Sequence, residues 1–297
     1  MLSRRELVVA GTAAVAAPRT DRNDPRSRFI AGVRQLEIRL GQGARICVKL
    51  VDPARALHVA YRSTERLPMC STFKLPLVGM VLFRTDRKLE QLNREVPIPN
   101  SPLLPNSPTT TRFIGRTLSI GALCEAAMTL SDNSAANLLL ETLAGPAALT
   151  TFLRSIGDAV TRLDRIETAL NEATPNDPRD TTTPAAMLDD LRNLTTGRVL
   201  GRASRNQLLF WLAKNTTGKE KLNKGLPGTW SIADKTGTGG HGTNNDVALI
   251  WPEGRDLLRP ILVAAYISGG AEEVDAASRN IVHRRIGELI VELVGQF

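Results

Sequence analysis

Ser71, Lys74, Ser131 and Lys235 stand in three short motifs: Ser71-Thr72-Phe73-Lys74, Ser131-Asp132-Asn133 and Lys235-Thr236-Gly237. Between the last two lies Arg165-Ile166-Glu167-Thr168-Ala169-Leu170-Asn171. These residues supply a nucleophile, two proton carriers, a clamp for an anion and a carboxylate able to activate water. That set suffices to split an amide through a serine ester. A serine hydroxyl attacks well only when a neighbour accepts its proton. With Ser71 opening a helix, Lys74 falls one turn on, on the same face, within reach of the hydroxyl. Free N–H groups at the helix start favour the negative charge that builds during attack. Alone, a serine and a lysine at this spacing more often mark an ordinary surface helix.

The other motifs need a break between helices and a strand. Ser131-Asp132-Asn133 separates two apolar stretches, 120–130 and 135–143, which places it between two helices. There Ser131 can pass a proton to a leaving nitrogen, and Asn133 can donate to a substrate carbonyl. Asp132 can cap the second helix while its neighbours face a cleft. Residues 230–234 alternate apolar and polar and read as a strand, with Lys235-Thr236-Gly237-Thr238 at its end. A lysine there attracts a substrate carboxylate, and Gly237 lets a substrate backbone approach. Gly237-Thr238-Gly239-Gly240-His241-Gly242 also fits a dinucleotide fingerprint, but that motif must open a helix. Residues 246–251 read as a strand, so the glycines form a hairpin turn and no nicotinamide cofactor is expected.

The motif set, its order and its gaps resemble the class A serine β-lactamases, a family defined by these elements. The resemblance runs from about Arg26 to Phe297. It implies that Ser71 opens a β-lactam ring and that Glu167, with Asn171, activates the water that frees the ester. Lys74 and Ser131 then carry protons, and Lys235, Thr236 and Thr238 hold the substrate carboxylate. The oxyanion falls between the backbone N–H groups of Ser71 and Thr238. The family's Ω-shaped loop corresponds to residues 162–180, closed by an Arg165–Asp180 salt bridge, with a cis peptide expected at Ile166–Glu167. Without Glu167, the serine and lysine motifs would equally suit a penicillin-binding D-Ala-D-Ala peptidase, which stalls as an ester. A non-enzymatic β-lactam receptor is the third reading, and it expects a membrane or signalling segment.

Some positions depart from the family pattern. Asn244 stands where many relatives carry an arginine, so Lys221 is expected to supply the extra positive charge of the carboxylate pocket. Lysine keeps the charge but lacks the bidentate fork. Asn106 replaces an aromatic ring beside the substrate. Three cysteines are present, Cys47, Cys70 and Cys124. The partners that relatives use fall here at Val78 and Gly239, so free, buried thiols are expected. His58, His241 and His283 are scattered and no Cys-x-x-Cys occurs, so no metal is expected. No cofactor is expected either.

Ser3-Arg4-Arg5-Glu6-Leu7 followed by an apolar run over 7–17 reads as a twin-arginine-like leader spanning 1–17. The run is too short to cross a bilayer. Export to the periplasm or the medium is therefore expected, with no membrane attachment after processing. The net charge is +8, but the basic residues are dispersed and aromatics make up 4% of the chain. Stacking on nucleic acid is not expected. The partner expected is a small-molecule β-lactam, and the resemblance implies a monomer.

Helix patterns at 26–40 and 276–294 and strands at 45–51, 57–62, 230–234, 246–251 and 261–268 give an α/β lobe from residues 28–61 and 213–297. Residues 62–212, mostly helical, form an inserted lobe. The fold expected is the two-lobe β-lactamase-like arrangement, an α/β part with a five-stranded antiparallel sheet plus an all-α part. The active cleft falls between the lobes.

Overall fold

The computed structural model describes residues 24–271 and 274–296. The leader expected over 1–17 lies outside the described residues. The chain opens with α1 (Pro25–Arg39), β1 (Arg45–Asp52), β2 (Leu57–Tyr61) and β3 (Leu67–Pro68). A 3-10 turn over Cys70–Phe73 leads into α2 (Lys74–Asp86). The strands β4 (Glu95–Pro97) and β5 (Thr117–Ser119) form a small ribbon before α3 (Ile120–Thr129), α4 (Asn133–Thr142) and α5 (Pro146–Ser155). After the 162–180 loop come β6 (Thr181–Thr182), α6 (Pro184–Thr195) and α7 (Arg202–Ala213). The chain closes with β7 (Ser231–Thr238), β8 (Asn244–Trp251), β9 (Ile261–Ser268) and α8 (Ala276–Val294).

The main sheet has five strands in the order β2-β1-β9-β8-β7, and all neighbours are antiparallel. Successive strand residues point to opposite faces. Val247, Leu249, Leu262, Ala264 and Tyr266 pack with the helical lobe. Their neighbours Ala248, Ile250, Ile261, Val263 and Ala265 pack with α1 and α8. A sheet covered on both faces explains why β8 and β9 read as continuous apolar runs. The strand order leaves β7 at the edge of the sheet.

Local chemistry sets several helix starts. Thr183 accepts from Ala186 N at 3.1 Å and Pro184 fills the first position of α6, where a missing N–H costs nothing. In α2, Lys74 through Leu82 are all buried, so its lysine is carried into the protein interior by the apolar residues around it. One strand boundary differs from the sequence reading. The Lys235-Thr236-Gly237-Thr238 segment continues β7 rather than ending it, because it pairs with Val247 through Asn244. Among the described residues no single helix is long and apolar enough to cross a membrane.

Candidate active site

The nucleophile sits in a strained turn. Cys70, just before Ser71, has φ +45°, and Ser131 and Asn106 have φ +56°. Non-glycine residues in this region cost of order 1–3 kcal/mol each and persist only where surroundings hold them. The hold is visible. Asn245 Nδ2 donates to Pro68 O at 2.9 Å and Met69 O at 3.0 Å, and Thr72 and Tyr266 hydroxyls bond at 2.9 Å. Asn106 Nδ2 donates to Ser131 O at 3.1 Å, and Asn106 O accepts from Asn133 N at 3.0 Å.

Lys74 is the hub. Its Nζ lies 2.9 Å from Ser71 Oγ, 3.2 Å from Ser131 Oγ and 2.7 Å from Asn133 Oδ1. It also lies 2.9 Å from Ser131 O and 2.9 Å from Glu167 Oε1. Burial pulls its pKa below the usual lysine value, and the Glu167 carboxylate opposes that shift. Ser71 Oγ donates to Glu167 Oε1 at 3.2 Å. Ser131 Oγ therefore has Lys74 on one side and Lys235, also at 3.2 Å, on the other. Burial, then repulsion from Lys74, brings Lys235 down to about 7.

Glu167 is delivered by the 162–180 loop. Arg165 Nε meets Asp180 Oδ2 at 2.6 Å, so the expected salt bridge closes the loop neck. Asp180 also accepts from Asp164 N at 2.8 Å and Arg165 N at 2.9 Å. Asn171 Nδ2 donates to Glu167 Oε2 at 2.5 Å. The cis peptide falls at Glu167–Thr168, one bond later than the Ile166–Glu167 expected. A residue that the sequence reading missed grips the same glutamate. Asn137 Nδ2 donates to Glu167 O and Asn137 Oδ1 accepts from Glu167 N, both at 2.9 Å. Its signal was its place one turn after Asn133 on α4, which puts it on the same face.

Asp132 is structural, as its capping pattern suggested. It accepts from Ala135 N at 2.9 Å and from Thr109 N and Thr110 N at 2.9 and 3.0 Å. That pins the α3–α4 break to the 105–110 segment and aims Ser131 and Asn133 inward.

Gly237 has a structural task beside the one expected. A Cβ there would lie 2.6 Å from Met69 O and 3.2 Å from Ser71 N. The missing side chain lets β7 press against the nucleophile turn, not only against a substrate. Thr236 is buried beside Lys235, Thr238 is exposed at the end of β7, and Asn106 is exposed at the opposite rim.

Lys221 lies below this surface. It is 3% exposed, and its Nζ donates to Asn245 O at 3.0 Å and Gly237 O at 3.4 Å. Asp234 and Asp246 are buried nearby, and burial raises the pKa of both above the ordinary aspartate value. Burial lowers Lys221 to about 8, against the attraction of Asp246 and Asp234. Its charge thus sits under the β7–β8 pair rather than open in the cleft. Cys47, Cys70 and Cys124 are free and buried. A Cβ on Gly239 would fall 2.5 Å from Cys70 Sγ, so the site of the missing bridge is spatially adjacent. Among the described residues no cluster of three or more His, Cys, Asp or Glu is arranged to hold a metal ion.

Comparison with known proteins agrees with this geometry. Residues 34–294 match the β-lactamase enzyme family. The chain is 42% identical over 250 residues to β-lactamase CTX-M-8 of Citrobacter amalonaticus, covering 84% of each. It is 40% identical over 286 residues to β-lactamase L2 of Stenotrophomonas maltophilia, covering 96% of this chain and 91% of that one. An ancestral class A β-lactamase superposes with TM-score 0.85 at 52% identity, over 89% of this chain and 99% of the other. A β-lactamase from Xanthomonas campestris superposes with TM-score 0.87 at 43% identity, over 92% and 99%. A buried serine–lysine–glutamate centre on this fold, shared with relatives along nearly the whole chain, makes the protein a member of the β-lactamase enzyme family, a class A serine β-lactamase.

Proposed function

We propose that Ser71 opens the lactam amide as an ester and that Glu167 drives water in to release it. The observation that carries this reading is Glu167 Oε1 at 3.2 Å from Ser71 Oγ and 2.9 Å from Lys74 Nζ. Both candidate bases touch the nucleophile, so the Ser71 proton can leave to either. The carbonyl oxygen becomes an oxyanion facing the N–H groups of Ser71 and Thr238. As the C–N bond breaks, Ser131 Oγ gives its proton to the ring nitrogen and is reprotonated from Lys74. A water then attacks the ester carbonyl, Glu167 takes its proton, and Ser71 leaves with its hydroxyl restored. Asn171 orients the carboxylate and Asn133 a substrate amide, while Asn106 shapes the rim. Turnover of a chromogenic cephalosporin by the purified protein tests the reaction; a lasting ester with no turnover would instead indicate peptidase-like chemistry.

Lys235, Thr236 and Thr238 form the carboxylate subsite, with Lys221 adding positive charge from beneath. Lys235 carries its proton below about 7 and loses it above. For a carboxylate-bearing substrate, kcat/KM falls as pH rises through that value. A methyl ester of the same substrate lacks this limb, whatever Lys74 does. Replacing Lys221 by alanine raises KM for the carboxylate form by about tenfold, roughly one charge contact. An ester and an acid with the same pH profile, or an unchanged KM, would remove these roles.

Export is the corresponding proposal for residues 1–17, supported by Arg4-Arg5 before the apolar run. We place the mature monomer in the periplasm or the medium. Fractionation of cells making the Arg4→Lys, Arg5→Lys chain checks this: unchanged export would discard the twin-arginine route.

A further inference from the structure

Far from the catalytic residues, α7 and the β8–β9 loop enclose a groove of about 620 Å³. Small-molecule sites span about 300–1,000 Å³. One wall is apolar: Leu209, Trp251, Leu257 and Leu258. Leu257 and Leu258 are 77% and 82% exposed, the two most exposed large apolar side chains among the described residues. The α7 side of the lining also carries Arg202 and Arg205. They are three apart on α7, so they share a face with Leu209.

The groove is built rather than accidental. Trp251 Nε1 donates to Leu257 O at 3.0 Å, which ties the loop to the end of β8. Neither arginine has a carboxylate partner among the described residues; Arg205 donates to the Gly197 carbonyl. Acids on adjoining segments are occupied. Asp86 accepts from Gly201 N and Ser204 Oγ, each at 2.7 Å, and Asp256 accepts from Leu258 N at 2.8 Å. Glu253 is exposed and does not line the groove. Two guanidinium groups without a carboxylate partner among the described residues thus share one groove with exposed Leu257 and Leu258 and half-buried Trp251.

We propose that this groove is a second, non-catalytic site that binds a single-chain amphiphile with an anionic head. The carboxylate of a fatty-acid-like ligand lies at Arg202 and Arg205, and its alkyl chain covers Trp251, Leu257 and Leu258. A compact polar anion would leave the leucines bare. A neutral chain would leave the arginines unpaired. Trp251 pairs with Ser231, four residues along β7 from Lys235, or about 13 Å of strand. Changes in the groove therefore leave the catalytic set untouched, and the proposal stands apart from the hydrolase mechanism.

Trp251 is a built-in reporter. Laurate, added to the full-length protein below its micelle concentration, should change tryptophan emission saturably, and Trp251→Phe should remove the change. Dodecanol should bind about tenfold more weakly, the scale of one lost charge contact. Arg202→Gln with Arg205→Gln should weaken laurate about tenfold and leave dodecanol unchanged. Leu257→Ser with Leu258→Ser should weaken both ligands. Superimposable thermal melts certify that the variants fold. The proposal is overturned by no saturable response, by equal affinity for laurate and dodecanol, or by a double-arginine variant that binds laurate normally. Response to phosphatidylglycerol vesicles but not to monomeric laurate would also overturn it, since the patch would then be a bilayer contact.

Discussion

Glu167→Gln turns steady hydrolysis into a single burst, with an adduct of whole-substrate mass persisting on Ser71. The amide matches the carboxylate in shape and its oxygen still accepts from Asn171. It cannot take a proton from water. A positioned base contributes about 10²–10⁴ in rate, so deacylation and kcat fall by that factor. Acylation falls less, because Lys74 Nζ remains 2.9 Å from Ser71 Oγ and can receive the first proton. Without its carboxylate partner, buried Lys74 gives up its proton and stands as the free amine, at a cost of several kcal/mol of stability. That loss is read separately, from melting. Mass spectrometry after mixing and stopped-flow acylation give the two rates. A kcat within tenfold of the native value would mean that another group activates the water. Equal losses in both steps would assign Glu167 to acylation instead.

Ser71→Ala has the largest effect on rate, a loss of about 10⁶-fold, the scale seen when a serine hydrolase loses its nucleophile. No adduct forms. Binding survives, because Lys235, Thr236 and Asn133 are held by contacts that do not involve Ser71 Oγ. Stability falls by a few kcal/mol at most: Lys74 loses one acceptor and keeps Glu167, Asn133 and Ser131, while Glu167 Oε1 loses one donor and keeps Lys74. Two hydrogen bonds go, each worth about 1–3 kcal/mol net. Equilibrium binding of a penicillin to the variant, near the native KM in affinity, would separate chemistry from recognition. Residual turnover at a hundredth of the native rate would point to a different nucleophile.

The two substitutions test different links of one chain. Ser71 and Lys74 come from a single turn of local structure. Glu167 comes from a loop closed at its neck by Arg165 and Asp180 and held at its tip by Asn137. Carboxylate placement therefore depends on packing that a local motif does not encode. This is why Asn137 escaped the sequence reading while Asn171 did not. Asn171 belongs to the motif, whereas Asn137 is a helix residue whose partner lies 30 positions away.

Short-range chemistry alone determined much of this protein. The motifs named the nucleophile, its proton carriers and the water-activating carboxylate. Asp132 announced a helix start because a cap bonds an N–H three residues on. The apolar runs of β8 and β9 announced buried strands, and the glycine turn a hairpin. Tertiary structure decided what depends on closure between distant segments. It put the cis bond after Glu167, set Gly237 against Met69 and Ser71, and carried Lys221 beneath β7 and β8. Caps and alternation act within a turn or a strand, so they are written in neighbouring residues. The destination of a buried charge is set by whichever partners the folded chain brings to it, and for Lys221 those are carbonyls and carboxyls supplied by other strands.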